Sequence, residues 1–313
     1  MYLIQKGSIT VGDLTVYIFC ISLALSEITN AIDPLLNGIA YYKQAKRRYH
    51  YFFNLETYPK KEGKELKKIE TIQIEHLTYR YAENLKPALE DISMEIYQGQ
   101  KIGIVGQVGS GKTTLINLLA GFYEPPKNTI KINGIDKEEY KRESIFEKIG
   151  YAMQKSIILD ENIRNNIDMK EEAKEAKIKN VMAKSELLED VEKMEDQLET
   201  QIGENGAKVS GGQKQRIQIA RTLLHTREVN IFDDSLSALD SQTEKKVLKA
   251  IEEEIGDNIL IVVSNKISMM KNMDQVYLLI DGKIQAKGKH ETLLQTNDLY
   301  RELAEYEKEG ELL

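Results

Sequence analysis

"GQVGSGKTT", residues 106–114, decides how the rest of the chain is read. It follows the apolar run "KIGIV" and opens "TTLINLLAGF", whose apolar spacing is helical. The stretch matches G-x-x-x-x-G-K-[ST] in the strand–loop–helix setting that the pattern requires. Gly106, Gly109 and Gly111 leave backbone N–H groups free to wrap a triphosphate, and the helix N-terminus adds positive potential. Gln107, Val108 and Ser110 fill the variable positions between them. Lys112 is expected to reach the β- and γ-phosphates, Thr113 to ligate Mg²⁺ through its hydroxyl, and Thr114 to continue the cradle into the helix. A glycine-rich turn with a chance lysine would lack the flanking strand and helix, so the reading is a nucleoside triphosphate site.

The surrounding chain is an ordinary globular one, with 313 residues, 41% hydrophobic and 30% charged. A net charge of −7 gives no basic field for nucleic acid, and the single cysteine, Cys20, excludes an internal disulfide framework. "IETIQIEHLTYRY" and "LEDISMEI" alternate like half-buried antiparallel strands. "KIGIVG", "EVNIFD", "NILIVVS" and "QVYLLI" are uniformly apolar, as strands buried on both faces of a parallel sheet are. Residues 158–225 read as mostly helical, an inserted subdomain. The C-terminal "ELAEYEKEGELL" reads as a charged helix or tail and carries no functional signal.

The N-terminus is different. "LTVYIFCISLAL" (14–25) is almost uninterrupted apolar sequence, and the basic cluster "KQAKRR" (43–48) follows as on the cytoplasmic side of a membrane span. A span over about 12–42 encloses Glu27 and Asp33, charges tolerated where they face other helices or water. A cleaved leader, with Lys6 as its basic end and Ala24-Leu25-Ser26 as its cleavage site, is the main rival, and Asp13 argues against it. A buried soluble helix is the other. Residues 55–70, polar and without periodicity, read as a linker between a membrane part (1–54) and a nucleotide-binding part (71–313).

Four further pieces narrow the class. "VSGGQKQRI" places Ser210, Gly211, Gly212 and Gln213 at a helix start, where hydroxyl and amide donors suit a γ-phosphate. The chain's own glycine loop already holds one, so a second nucleotide on a second subunit is the economical reading. Gln154 in "YAMQKS" ends a strand and suits Mg²⁺ or water. Tyr81 in "LTYRYA" offers a stacking surface for adenine, and Asp240 closes "SLSALD".

Tyrosine, glycine loop, glutamine, S-G-G-Q, paired acids and S-A-L-D in this order resemble the nucleotide-binding domain of an ABC transporter, over about residues 69–300. "GSITVGDLTVYIF", "QAKRR" and "IGENGAKVSGGQKQR" resemble the exporter type, with its last membrane helix and with Glu204 facing the coupling region. The resemblance implies an α/β fold: a RecA-like core, an antiparallel β subdomain and a helical subdomain. It implies ATP and Mg²⁺, and two domains paired head to tail. It places the chain at the cell membrane, with the ATP-binding domain cytoplasmic. An exporter half carries six membrane helices and this chain has room for one, so the others are expected on another chain, or the chain is a truncated product.

"NIFDDSLSALD" (230–240) departs from that family. Asp233 suits the acid that orients the Mg²⁺ shell. The second acid, which polarises the attacking water, is a glutamate in the family and is Asp234 here. Its carboxylate is set back by about 1.5 Å, and a misplacement of about 1 Å costs roughly 10²-fold. The histidine expected after "LIVVS" is Asn265, which donates a hydrogen bond but carries no proton or charge. The pattern resembles the degenerate subunit of a heterodimeric exporter. A slow homodimeric ATPase, an inactive remnant and a regulatory protein that uses ATP only as a clamp stay open.

Overall fold

The computed structural model describes residues 10–53 and 62–310. They fall into two compact units, divided between Lys60 and Lys61. Lys6, weighed above as part of a leader, and residues 55–61 of the expected linker lie outside the described residues.

The described part of the first unit is one helix, α1 (Val11–Phe53, 43 residues). Its most apolar 18-residue window has a mean hydropathy of 1.6, enough by length and composition to cross a membrane. The described side chains along it are exposed. α1 outruns the expected 12–42 because "KQAKRR" is built of good helix formers, whose charge ends an apolar span but not a helix.

The second unit begins with β1 (Thr71–Tyr79), β2 (Leu89–Tyr97) and β3 (Lys101–Val105), then helix α2 (Lys112–Ala120). β4 (Ile130–Ile132), β5 (Ile135–Asp136) and β6 (Ile149–Ala152) follow, before the helical stretch with α3 (Glu175–Lys184) and α4 (Gly211–Leu224). The chain returns through β7 (Val229–Asp233), α5 (Ser241–Ile255), β8 (Ile259–Ser264), β9 (Gln275–Ile280) and β10 (Lys283–Gly288), and ends in α6 (Asp298–Gly310). An antiparallel sheet runs β2-β1-β4-β5 and a larger sheet β10-β9-β3-β8-β7-β6. All neighbours in the larger sheet are parallel except β10 with β9.

β8 shows why the larger sheet is apolar throughout. Ile259, Ile261 and Val263 enter the core shared with the antiparallel sheet, while Leu260 and Val262 enter the core under the helices. Alternate residues face opposite sides of a strand, so a strand covered on both faces carries no polar alternation. At about 1.5–3 kcal/mol per fully buried aliphatic side chain, these strands anchor both layers. The carboxyl ends of β3, β7 and β8 lie side by side, the edge at which open α/β sheets bind ligands.

One expectation is corrected. The described residues 62–70 are not a free linker: Lys64 N donates to Glu139 O at 2.8 Å, Lys141 N donates to Lys64 O at 2.9 Å, and Leu66 and Ile69 are buried. Two isolated apolar residues were enough to seat a strip that has no periodicity. Residues 302–310 of the expected charged helix or tail are helical, as part of α6, whose Tyr300 is fully buried in the core. His225 closes α4 with its Nε2 3.3 Å from the buried Asp168 carboxylate.

Candidate functional site

The glycine loop leaves β3 and enters α2 under tight constraint. A Cβ on Gly106 would lie 2.0 Å from the Leu279 carbonyl oxygen of β9. Gly111 stands at φ +100°, where a Cβ would meet the Ala88 carbonyl oxygen at 2.6 Å. Gly111 is also the N-cap of α2 and offers no side-chain hydrogen bond, so the first N–H groups of the helix have no side-chain partner. That combination suits an anion. Lys112 Nζ donates to Gly106 O at 2.6 Å and Gln107 O at 2.9 Å. Burial lowers the Lys112 pKa, and Asp234 and Asp233 pull it back up.

Asp233 ends β7 and is buried. Its carboxylate accepts hydrogen bonds from the Tyr151 hydroxyl at 3.0 Å and from the Thr113 hydroxyl. Burial raises its pKa, against the pull of those bonds and of Lys112, while Asp234 pushes the same way as burial. Asp234 follows at φ +48°, a left-handed conformation that aspartate tolerates better than most side chains. Its N–H donates to Val263 O of β8 at 2.9 Å, which fixes the turn. Gln154 Nε2 lies 3.5 Å from Asp234 Oδ2, a long contact. Burial raises the Asp234 pKa, opposed by Gln154, Lys112, Lys266 and Ser237.

Tyr81, Lys112, Thr113, Gln154, Asp233, Asp234 and Asn265 line one cavity of about 280 Å³, together with Val108 to Gly111 and Thr114. Gln154 stands two residues beyond β6, and Asn265 directly follows β8. Tyr81 is half exposed, and its hydroxyl lies 2.8 Å from Thr114 Oγ1. Gly106 and Gln107 do not line the cavity, and their carbonyl oxygens hold Lys112, which does. Among the described residues no cluster of three His, Cys, Asp or Glu could hold a metal alone. A hydroxyl, a carboxylate and an amide converging on a phosphate cradle are hard oxygen donors that fit Mg²⁺, which is held by few protein groups plus phosphates.

Ser210 to Gln213 do not share this cavity. Ser210 caps α4: its Oγ accepts from Gln213 N at 3.2 Å, and Ser210 N donates to Gln213 Oε1 at 2.9 Å. Gly211 is exposed at the turn. Asp240 also stands outside the cavity and caps α5, accepting from Gln242 N at 3.1 Å and Thr243 N at 3.0 Å. Two residues of the site were missed. Tyr151 holds Asp233, and Gln215 in α4 ties that helix to the loop after Asp234, where Ala238 N donates to its Oε1 at 2.9 Å. Their partners lie 82 and 23 residues away, and no local pattern encodes such pairs.

The ABC transporter family model matches residues 89–237, from β2 through the paired acids to Ser237. The chain contains an ABC transporter ATP-binding domain. It is 32% identical over 306 residues to an ATP-dependent lipid A-core flippase of Vibrio parahaemolyticus, covering 95% of this chain and 52% of the relative. To a probable multidrug resistance ABC transporter ATP-binding/permease protein of Bacillus subtilis it is 31% identical over 312 residues, covering 98% and 53%. The solved structure of a bacterial Atm1-family ABC exporter with ATP bound superposes with a TM-score of 0.76 at 26% identity, over 95% of this chain and 52% of that one. The chain thus spans about half the length of the curated relatives it matches.

Proposed function

We propose that this chain is the ATP-binding part of an ABC exporter, that its own site holds ATP and hydrolyses it poorly, and that its Ser210 to Gln213 complete a competent site on a second subunit. Residues 1–54 are then the end of a transmembrane domain, with α1 crossing the cell membrane, and residues 71–313 the cytoplasmic ATP-binding domain. The remaining membrane helices belong to another chain or to a longer form of this one. The single observation that carries the reading is the cavity itself, in which Asp234 and Asn265 face the same space as Lys112.

The residues divide the work by chemistry. Tyr81 stacks on the adenine ring, the loop from Gly106 to Gly111 wraps the phosphates, and Lys112 gives up its carbonyl partners for phosphate oxygens. Thr113, Asp233 and Gln154 would hold Mg²⁺, which neutralises phosphate charge when bound. Asp234 faces the attacking water from a carboxylate about one methylene too short. Asn265 offers a neutral donor where a protonatable group would serve proton transfer, and losing a positioned acid–base group costs about 10²–10⁴-fold. Closure of two domains around ATP is passed to membrane helices through Gln154 and Glu204. A slow homodimeric ATPase is the second reading, favoured by the intact capping box at Ser210, which could serve a second copy of this chain.

The test is nucleotide retention. The detergent-purified full chain is loaded with Mg-ATP and freed of excess, and the bound nucleotide is then identified. Recovery of intact ATP from wild type, with no nucleotide retained by Lys112→Ala, supports the proposal. Recovery of ADP at the rate of a turning-over site refutes it.

A further inference from the structure

Asn265 is an exposed residue between two flanks that are both tied down by other elements. On one side, Ser264 is buried at the end of β8, and its Oγ accepts from Lys266 N at 3.0 Å. Lys266 Nζ in turn pairs with the buried carboxylate of Glu244 in α5. On the other side begins the short 3-10 turn Ile267–Met270, whose own N-cap residue, Lys266, makes no side-chain cap hydrogen bond. The cap arrives from α6 instead. Glu307 Oε2 accepts from Ile267 N at 2.6 Å and from Ser268 N at 3.1 Å, and Glu307 Oε1 accepts from Ser268 Oγ. α6 is a firm base for this contact, since Tyr300 is fully buried and its hydroxyl lies 2.9 Å from His290 Nδ1.

We propose that Glu307 is a positioning residue for Asn265, so that the C-terminal helix sets how well the site tells ATP from ADP. The proposal deepens the function given above and rests on its placement of Asn265 against the γ-phosphate. A neutral amide has no long-range attraction to compensate for a wrong angle, and a hydrogen bond weakens steeply as its geometry bends. The segment carrying Asn265 therefore gains more from being fixed than one carrying a charged group would. Two backbone N–H groups and a hydroxyl gathered on one carboxylate, two and three residues beyond Asn265, supply that fixation. The absence of a local cap at Lys266 means that nothing within the turn replaces it.

The experiment measures binding of a non-hydrolysable ATP analogue and of ADP, each with Mg²⁺, to the detergent-purified full chain by calorimetry. A hydrogen bond to a charged group is worth about tenfold or more, so Asn265→Ala should lower the preference for the triphosphate by about that factor. Glu307→Ala should lower the same preference by about three- to tenfold and leave ADP affinity unchanged. Glu307→Gln, which keeps an acceptor oxygen, should fall between it and wild type. Glu305→Ala, on the exposed face of α6, should match wild type. The double variant Asn265→Ala/Glu307→Ala should lose no more than Asn265→Ala alone. If Asn265→Ala loses the preference and Glu307→Ala keeps it, the inference is overturned and the reading of Asn265 stands. If Glu307→Ala weakens both nucleotides equally, Glu307 is a structural cap and the inference is overturned as well. If Asn265→Ala changes nothing, the placement of Asn265 is wrong and the inference falls with it.

Discussion

Gly106→Ala puts a single methyl group where the structure has no room for it. The new Cβ would stand 2.0 Å from the Leu279 carbonyl oxygen, against about 3.4 Å for ordinary contact, so the loop or β9 must retreat by roughly 1.4 Å. Neither neighbour is the end of a flexible side chain: one is β9 backbone, and the other, Ser110 Oγ at 2.9 Å, is buried. Overpacking of this kind costs about 1–3 kcal/mol. For a domain of this size that lowers Tm by about 2–12 °C. The same displacement moves Gly106 O, on which Lys112 Nζ rests at 2.6 Å, and with it the whole cradle. A shift of about 1 Å in a site whose geometry does the work costs roughly 10²-fold, and ATP affinity should fall by about 10- to 100-fold. Thermal melting and binding of a fluorescent ATP analogue measure the two effects. Gly134→Ala is the control: it has φ +77° and open space at its Cβ, so it should lower Tm and spare ATP affinity. Wild-type melting and wild-type affinity in Gly106→Ala would refute the reasoning.

Other expected outcomes follow from the same geometry. Burial holds Asp233 and Asp234 above the ordinary carboxylate value of 3.8, so the folded domain binds protons that the unfolded chain releases. Its nucleotide-free stability should therefore fall as pH rises from about 4 through those raised values. Asp233→Asn removes one such buried charge and should melt higher than wild type at pH 7, with the difference shrinking towards pH 4, while Mg²⁺-dependent ATP binding is lost. A lower melting point at pH 7 would contradict this. Stacking of a base on an aromatic ring is worth about 1–3 kcal/mol, so Tyr81→Ala should weaken ATP binding by about five- to 100-fold. Tyr81→Phe keeps the ring and should stay near wild type by calorimetry. Equal losses in both variants would assign the effect to the bond between the Tyr81 hydroxyl and Thr114 instead.

Much of the site was legible because its chemistry is local. The glycine loop needs its neighbours within nine residues, and the strands that converge on it announce themselves by apolar runs. Asp234 and Asn265, compared with the family pattern in sequence, do line one cavity with Lys112. What was not legible depends on distance along the chain. Tyr151 reaches Asp233 over 82 residues, and Glu307 reaches Ile267 over 40. Residues 62–70 looked free because two buried apolar side chains, Leu66 and Ile69, make no periodic pattern. α1 runs past the expected span because charge marks the edge of an apolar span, whereas helix propensity continues through "KQAKRR" to Phe53.

Steady-state ATPase activity of the purified chain alone, beside Asp234→Glu/Asn265→His, tests the central claim most directly. The account predicts near-zero turnover for wild type and a gain of at least about 10²-fold for the double variant, because the fold is intact and only the two groups facing the γ-phosphate are deficient. Appreciable wild-type turnover that Lys112→Ala abolishes would contradict it and make this chain a working ATPase on its own.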